Sequence, residues 1–287
     1  LDSSLIGIEA CQGSHYWSRE LISQGHTVRV LPTQYVKPFL VGGKNDANDA
    51  SAICAAVSPP GIHPVPIKSA EQQLLQSVHR MRERLVHERT AVSNQIRSMF
   101  AEEAFIFPIG IIQLRQGIVA LVADADAQTT ILLRRLGSMY LEQLAALQRW
   151  IHELASEIAG IFKRNEGCQR LATVPGIGPL VATALFSGVG GPRQFKNGWQ
   201  VAAWLGLTPR QQSSGGKSKL GGITKHGDTY LRTLLVQCAR AVMRFVGRRD
   251  DRHSRWIKAL MQRRHVSVAA IALANKTARI AWGSDGQ

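Results

Sequence analysis

Three carboxylates are spaced as phosphodiester chemistry would use them. Glu9 closes a short apolar run, Leu5-Ile6-Gly7-Ile8, and Asp46 and Asp49 open a stretch that reads as a helix to about Val57. Three residues apart near a helix start, the two aspartates share one face. The apolar run reads as a buried strand, and in open α/β sheets ligands bind at the carboxyl ends of strands. Carboxylates gathered there would repel one another unless a divalent cation held them, and hard oxygen donors suit Mg²⁺ or Mn²⁺. Two such ions can stabilise the attacking and leaving oxygens of a phosphodiester displacement. A plainer reading competes on spacing alone: Asp46 and Asp49 favour the N-terminal end of a helix dipole.

Three further constellations lie in the second half. Val174-Pro175-Gly176-Ile177-Gly178, followed by an apolar stretch from Pro179 to Phe186, has the helix-hairpin-helix pattern. Gly176 and Gly178 allow a tight turn, and the N–H groups at the next helix start can cradle a phosphate oxygen. The alternative is a plain connection between packed helices. Ser213-Ser214-Gly215-Gly216-Lys217-Ser218-Lys219-Leu220-Gly221-Gly222 is a glycine-rich loop in which a hydroxyl could attack phosphorus. Arg210, Lys217, Lys219 and Lys225 are near enough in sequence to stabilise the charge that develops. By itself such a loop reads more simply as a solvated linker. Finally, Arg244, Arg248, Arg249, Arg252, Arg255, Lys258, Arg263 and Arg264 are interleaved with Phe245 and Trp256. That mixture suits a nucleic-acid groove, or else a solvated helix face.

The elements that must position these groups can also be read. Leu5 to Glu9, a helix from about His15 to Ser23, a strand from His26 to Leu31 and the helix from Asp46 make a parallel α/β layer. Ser69-Ala70-Glu71-Gln72 is a capping box. It opens a long helix to about Glu103, with Leu74, Val78, Met81, Leu85, Val92, Ile96 and Met99 as its apolar stripe. A second long helix, about Gln128 to Phe162, repeats the spacing through Leu136, Tyr140, Leu147, Ile151, Leu154, Ile158 and Ile161, so the two are expected to pack as an antiparallel coiled pair. The Phe105–Asp126 connector reads as a loop or tip. The expected domains are 1–66 (α/β), 67–163 (coiled-coil stalk) and 164–287 (basic and mostly helical).

Charge separates the halves. Residues 1–162 hold 14 Lys and Arg against 15 Asp and Glu, whereas residues 163–287 hold 21 against 5. The overall +15 therefore resides in the second half, which points to a polyanion partner and salt-sensitive binding. Four dispersed cysteines, Cys11, Cys54, Cys168 and Cys238, give neither metal spacing nor a disulfide framework, and fit reduced thiols in a cytoplasm. No apolar stretch is long enough for a bilayer span and no leader pattern opens the chain, so neither membrane nor secretion is expected.

Taken together, these motifs resemble one family. Ile8-Glu9-Ala10-Cys11 with His15-Tyr16-Trp17, Gln34-Tyr35-Val36-Lys37-Pro38 and Lys44-Asn45-Asp46-Ala47-Asn48-Asp49-Ala50 resemble the N-terminal half of DEDD transposases of bacterial insertion sequences, the one-ten family, eleven-eleven branch. The Val174–Gly178 turn, Trp204-Leu205-Gly206-Leu207-Thr208-Pro209, the serine loop, Gly221-Gly222-Ile223-Thr224-Lys225 and Leu231-Arg232 resemble the C-terminal half. The resemblance implies a RuvC-like, RNase-H-type α/β domain, a coiled-coil stalk, and a helical transposase domain bearing a helix-hairpin-helix. It implies Glu9, Asp46 and Asp49 as three of four metal-binding carboxylates, and a serine nucleophile mapping best to Ser214, with Ser213 as its rival. It implies a homo-oligomer in the bacterial cytoplasm, at the nucleoid, acting on DNA under an RNA guide. Gly176, Gly178, Lys217, Lys219, Lys225, Arg232, Arg248 and Arg249 are the expected DNA contacts. The family's first aspartate lies on an earlier strand, and Asp2, seven residues before Glu9, is a poor substitute. The expectation is a truncated or degenerate copy, weakly active or inactive. Two rivals remain: a non-catalytic DNA- or RNA-binding protein, and a junction-resolving nuclease without serine chemistry.

Overall fold

The computed structural model describes residues 2–43, 45–124, 129–190, 195–214 and 217–285. Lys44, Gly215 and Gly216, which belong to the sequence motifs, lie outside them, as do the side chains of Ser214 and Ser218. The chain divides into two compact units: residues 1–76 together with 165–287, and residues 77–164.

The first unit opens with a βαβ element. β1 (Leu5–Glu9) and β2 (Thr27–Leu31) pair in parallel, from Leu5 opposite Thr27 to Glu9 opposite Leu31. Helix α1 (Ser14–Ser23) makes the crossover, and Gly25, at φ +91°, turns the chain back into β2. Pro32 ends β2 and precedes the short α2 (Thr33–Val36). Helix α3 (Asp46–Val57) starts where the sequence placed it, capped by Asn45, whose side chain accepts from Asn48 N. It packs on β1 where Gly7 leaves room; a Cβ there would stand 2.8 Å from Ile53 Cγ2. Leu31, Val36, Ala52, Ala56 and Val57 form the local core. The described residues thus hold the α/β layer in its smallest form, two parallel strands under helices.

Helix α4 (Ala70–Ala101) opens with the expected reciprocal cap: Gln72 N donates to Ser69 Oγ at 3.1 Å, and Ser69 N to Gln72 Oε1 at 3.1 Å. Within the second unit α4 is joined by α5 (Ile111–Ala123) and α6 (Ile131–Arg164). The connector expected as a loop or tip therefore carries a helix of its own. Gly110 begins it, and its apolar face (Leu114, Ile118, Leu121) is buried with Leu85, Val92, Ile96 and Phe100 of α4 and Leu133, Leu144, Leu147 and Ile151 of α6. The α4–α6 pair is antiparallel. Arg89 donates to Gln148 at 2.8 Å, while eleven residues further along α4 Phe100 faces Gly137, eleven residues earlier in α6.

His79 lies on the buried stripe of α4, 1 % exposed, and burial, helped by the Arg82 charge, pushes its pKa down to about 4. The unfolded chain takes up this proton near the ordinary value of 6.5, before the folded protein does. The neutral ring's contribution is therefore intact above pH 6.5 and is lost as pH falls towards 4, by up to roughly 3 kcal/mol. The expected result is a His79→Gln variant whose stability, measured by urea unfolding, falls less between pH 7 and pH 4 than that of the parent.

The rest of the first unit is helical apart from one ribbon. It comprises α7 (Glu166–Leu171), α8 (Pro179–Val189), α9 (Gly198–Trp204), β3 (Pro209–Ser214), β4 (Lys217–Ile223), α10 (Thr229–Phe245), α11 (Arg252–Arg263) and α12 (Val266–Asp285). Small residues on α12 (Ala269, Ala270, Ala274, Ala278, Ala281) are buried and let α9 and α10 approach it closely. Among the described residues no helix is long and apolar enough to cross a membrane.

Candidate nucleic-acid interface and carboxylate set

Asp46 and Asp49 occupy the first turn of α3, the former exposed and the latter half-buried. That is the favourable end of a helix dipole, as the plainer reading of the sequence had it. Glu9, half-buried, ends β1 opposite Leu31. Although α3 packs against β1, no group of three His, Cys, Asp or Glu side chains among the described residues stands close enough to hold a metal ion. The structure places these three carboxylates on adjoining elements without converging them, so they do not form a ligand set for Mg²⁺ or Mn²⁺ here.

The Val174–Gly178 segment joins α7 to α8 by a tight turn. Ile177 N donates to Val174 O at 3.0 Å, and Gly176 sits at φ +92°. Gly176 is needed twice over, because a Cβ there would also stand 2.7 Å from Val242 Cγ2 on α10. The thiol of Cys238 donates to the Gly176 carbonyl. Gly176 is thus a packing residue against α10, whereas Gly178 has nothing within 4 Å of a built Cβ and leads with Pro179 into α8. Burial pushes the Cys238 thiol up to about 11. Cys168 is also buried, while Cys11 and Cys54 are exposed. Alkylation of the native protein at pH 8 is expected to modify Cys11 and Cys54 alone, with all four thiols reacting in denaturant. Fast native labelling of Cys238 would show the turn to be open.

The glycine-rich serine segment is not a free loop over its described length. It is an antiparallel ribbon, with Gln211 opposite Leu220, Gln212 opposite Lys219, Ser213 opposite Ser218 and Ser214 opposite Lys217. Side positions alternate along a strand. Positions 212, 214, 217 and 219 therefore share one face, and 211, 213, 218 and 220 the other. Arg210, Gln211, Gln212, Ser213, Lys217, Lys219 and Leu220 are all exposed. Ser213 Oγ accepts from Gln211 Nε2 at 2.8 Å, along its own strand.

What the sequence did not reveal is how the root of this ribbon is held. Gly206, at φ +70°, and Gly227, at φ +90°, lie backbone against backbone across two turns. A Cβ on Gly206 would fall on the backbone of His226, and one on Gly227 on the carbonyl of Trp204, far inside contact distance in both cases. Lys225 N donates to Gly206 O at 3.2 Å, and Thr224 N to Thr208 O at 2.9 Å. Lys225 itself is in the left-handed region at φ +58°. Arg232, expected as a DNA contact, donates to Leu205 O at 3.2 Å and His226 O at 3.4 Å, tying the same two turns together. A glycine pair separated by twenty residues is a signal the sequence offered without showing that the two meet.

No acid occurs between Glu166 and Asp228, and two of the acids that follow, Asp228 and Asp251, are engaged locally as helix caps. Asp228 caps α10 by accepting from Leu231 N at 3.0 Å. Asp251 caps α11, and the hydrogen bonds from the Ser254 hydroxyl and backbone, with that of His253 N, hold its carboxyl down to about 2. Arg248 and Arg249 remain exposed, Arg248 lying 5.6 Å from the centre of the Phe245 ring. With Asp228 and Asp251 held at helix starts, the cations of the ribbon, of residues 246–248 and of α11 present a positive field to solvent.

An acid-bearing βαβ element, followed in the chain by a helical part that carries a cationic, serine-bearing ribbon, defines a protein of the nucleic-acid-processing class. Comparison with known proteins makes the class specific. Residues 168–258 match the Transposase IS116/IS110/IS902 family, and residues 1–105 match the DEDD transposase domain of IS110 type. A probable family 20 transposase of Pseudomonas aeruginosa is 46% identical over 98% of this chain and 84% of its own length. The transposase for insertion sequence element IS1111A of Coxiella burnetii is 38% identical over 96% of this chain and 76% of its own. The corresponding shares for the IS1328 transposase of Yersinia enterocolitica are 37% identity, 97% and 82%. The chain belongs to the Transposase IS116/IS110/IS902 family.

Proposed function

We propose that this chain cuts and rejoins the DNA of an insertion sequence through a serine ester carried on the β3–β4 ribbon. The observation that carries the reading is the register of that ribbon: position 214 shares its face with Lys217 and Lys219, whereas position 213 does not. In the proposed step the Ser214 oxygen attacks phosphorus, an Oγ–P bond forms, and the P–O3′ bond breaks. The serine gives up its proton and the departing 3′ oxygen gains one. The DNA 5′-phosphate is then held as an ester until a 3′-hydroxyl of another strand attacks and releases the serine. One phosphoester is exchanged for another, so no external energy source is needed. Lys217 and Lys219, with Arg210 and Lys225 near the root, stabilise the charge that builds on the phosphoryl oxygens.

Glu9, Asp46 and Asp49 remain the proposed carboxylates of the α/β part. They do not form one metal-holding group among the described residues, and the proposed serine step does not pass through Mg²⁺ or Mn²⁺. A RuvC-like domain, a helix-hairpin-helix contact through the Gly178 end of α8, a guide RNA and a second copy of the chain belong to the same proposal.

The test is to trap the covalent adduct with end-labelled insertion-terminus DNA under denaturing conditions and to map the modified residue by mass spectrometry. A phosphodiester on the ribbon peptide supports the proposal. Salt-sensitive binding with no adduct and no cleavage supports the non-catalytic reading. Metal-dependent nicking that is indifferent to both serines supports the nuclease.

A further inference from the structure

Away from the ribbon, α9, α11 and α12 border an open cleft of about 620 Å³, within the size range of small-ligand sites. Trp199, Trp256 and Trp282 line it, together with Lys276 and Arg279, and none of the described lining residues is acidic. Half of the chain's six tryptophans are therefore on one surface feature. The close approach of α9 to α12 builds it. Gly198, at the start of α9, lies so near α12 that a Cβ would stand 2.8 Å from Arg279 O. This contact brings the Arg279 guanidinium to 3.4 Å from the centre of the Trp199 ring, and Lys276 Nζ lies 4.1 Å from that of Trp256. His253 stacks on Trp256 with the rings 8° from parallel.

A tryptophan with a cation on one side is usually a buried anchor, yet Trp199 is 58% exposed. The guanidinium covers one face and fixes the ring, and solvent reaches the remainder. Arg252 and Arg255, both exposed, precede Trp256 on α11 by four residues and one, so positive charge continues outward from the cleft. Fixed, exposed indole faces flanked by cations are what unpaired bases and their phosphates require. Duplex DNA, with its bases stacked on one another, offers these rings nothing.

The geometry points to this cleft as a binding site for an unpaired nucleotide segment, with bases stacking on Trp199 and phosphates meeting Lys276, Arg279 and the outer arginines. The site stands independently of the serine chemistry, and loss of the covalent adduct would leave it in place.

The test measures the affinity of the intact chain for labelled oligo(U), oligo(dT) and a duplex of the same length, by fluorescence anisotropy at fixed salt. Trp199→Ala is expected to weaken binding of the unpaired oligomers about tenfold while leaving duplex binding unchanged, and Trp199→Phe to restore most of the loss. Tighter binding of oligo(U) identifies RNA as the natural source, and tighter binding of oligo(dT) identifies displaced DNA; both support the cleft. Equal loss on duplex and single strands, or no loss, overturns it. Photocrosslinking of 4-thiouridine oligomers to the unaltered chain gives a second readout that needs no variant. Crosslinks on α9 or α12 support the site, and crosslinks confined to the ribbon or α10 overturn it.

Discussion

Ser214→Ala is expected to abolish the covalent protein–DNA adduct and to lower strand exchange by roughly 10³-fold or more, with DNA affinity held within about twofold. The large kinetic effect follows because no other group on that ribbon face can form the ester; its partners are Gln212, Lys217 and Lys219. The small binding effect follows because affinity for a phosphate backbone comes from cations, and Ser214→Ala removes none. Ser213→Ala is the internal comparison. Position 213 is on the opposite face, where the serine hydroxyl already accepts from Gln211, so a loss of less than about tenfold is expected. Adduct formation that survives Ser214→Ala and fails with Ser213→Ala would move the nucleophile by one residue, and hence to the other side of the ribbon.

The second large effect concerns stability. Gly206→Ala and Gly227→Ala are each expected to cost about 3 kcal/mol or more, seen as a fall in Tm of at least about 6 °C. Two penalties add at each position. The backbone is in the left-handed region, and the new methyl would collide with backbone atoms of the facing turn, which cannot swing aside as a side chain can. Gly222→Ala serves as the control. It lies on β4 in the same motif, yet has nothing within 4 Å of a built Cβ and no positive φ, so its effect should stay within about 1 kcal/mol. An isolated two-stranded ribbon is marginal in water, and without its anchored root the ribbon would be lost along with the serine it positions. Loss of strand exchange is therefore expected in both glycine variants even at temperatures where the helices remain folded.

Much of the local structure was legible because it is encoded by near neighbours. The strand at Leu5, the α3 start at Asp46 and the Ser69–Gln72 cap each depend on residues within one turn of one another, and each was found where expected. The buried face of the first turns of α4 was not. The apolar pattern favours Leu74, Val78 and Met81, yet Leu74 is 69% and Met81 54% exposed, while Leu75 and His79 are buried at 1%. The buried stripe begins one residue later than hydrophobicity predicts, a rotation of about 100°. A histidine at its ordinary pKa gives no sequence signal that it will be buried. Helix α5 was missed for a related reason: Pro108 and Gly110 read as a loop, although they only mark the turn before a helix that the α4 and α6 side chains then bury.

What the sequence determined by itself was the family and the distribution of charge, since the motifs are short and contiguous and charge requires only counting. It also determined which residue types were available for chemistry. Tertiary structure decided which of them meet. It set Gly206 against Gly227, assigned Arg232 to holding those turns together, drew Trp199 under Arg279, and did not gather Glu9, Asp46 and Asp49 into one metal-holding group. Those outcomes depend on how closely backbones many residues apart can approach, and short-range spacing in a chain carries no information about that distance.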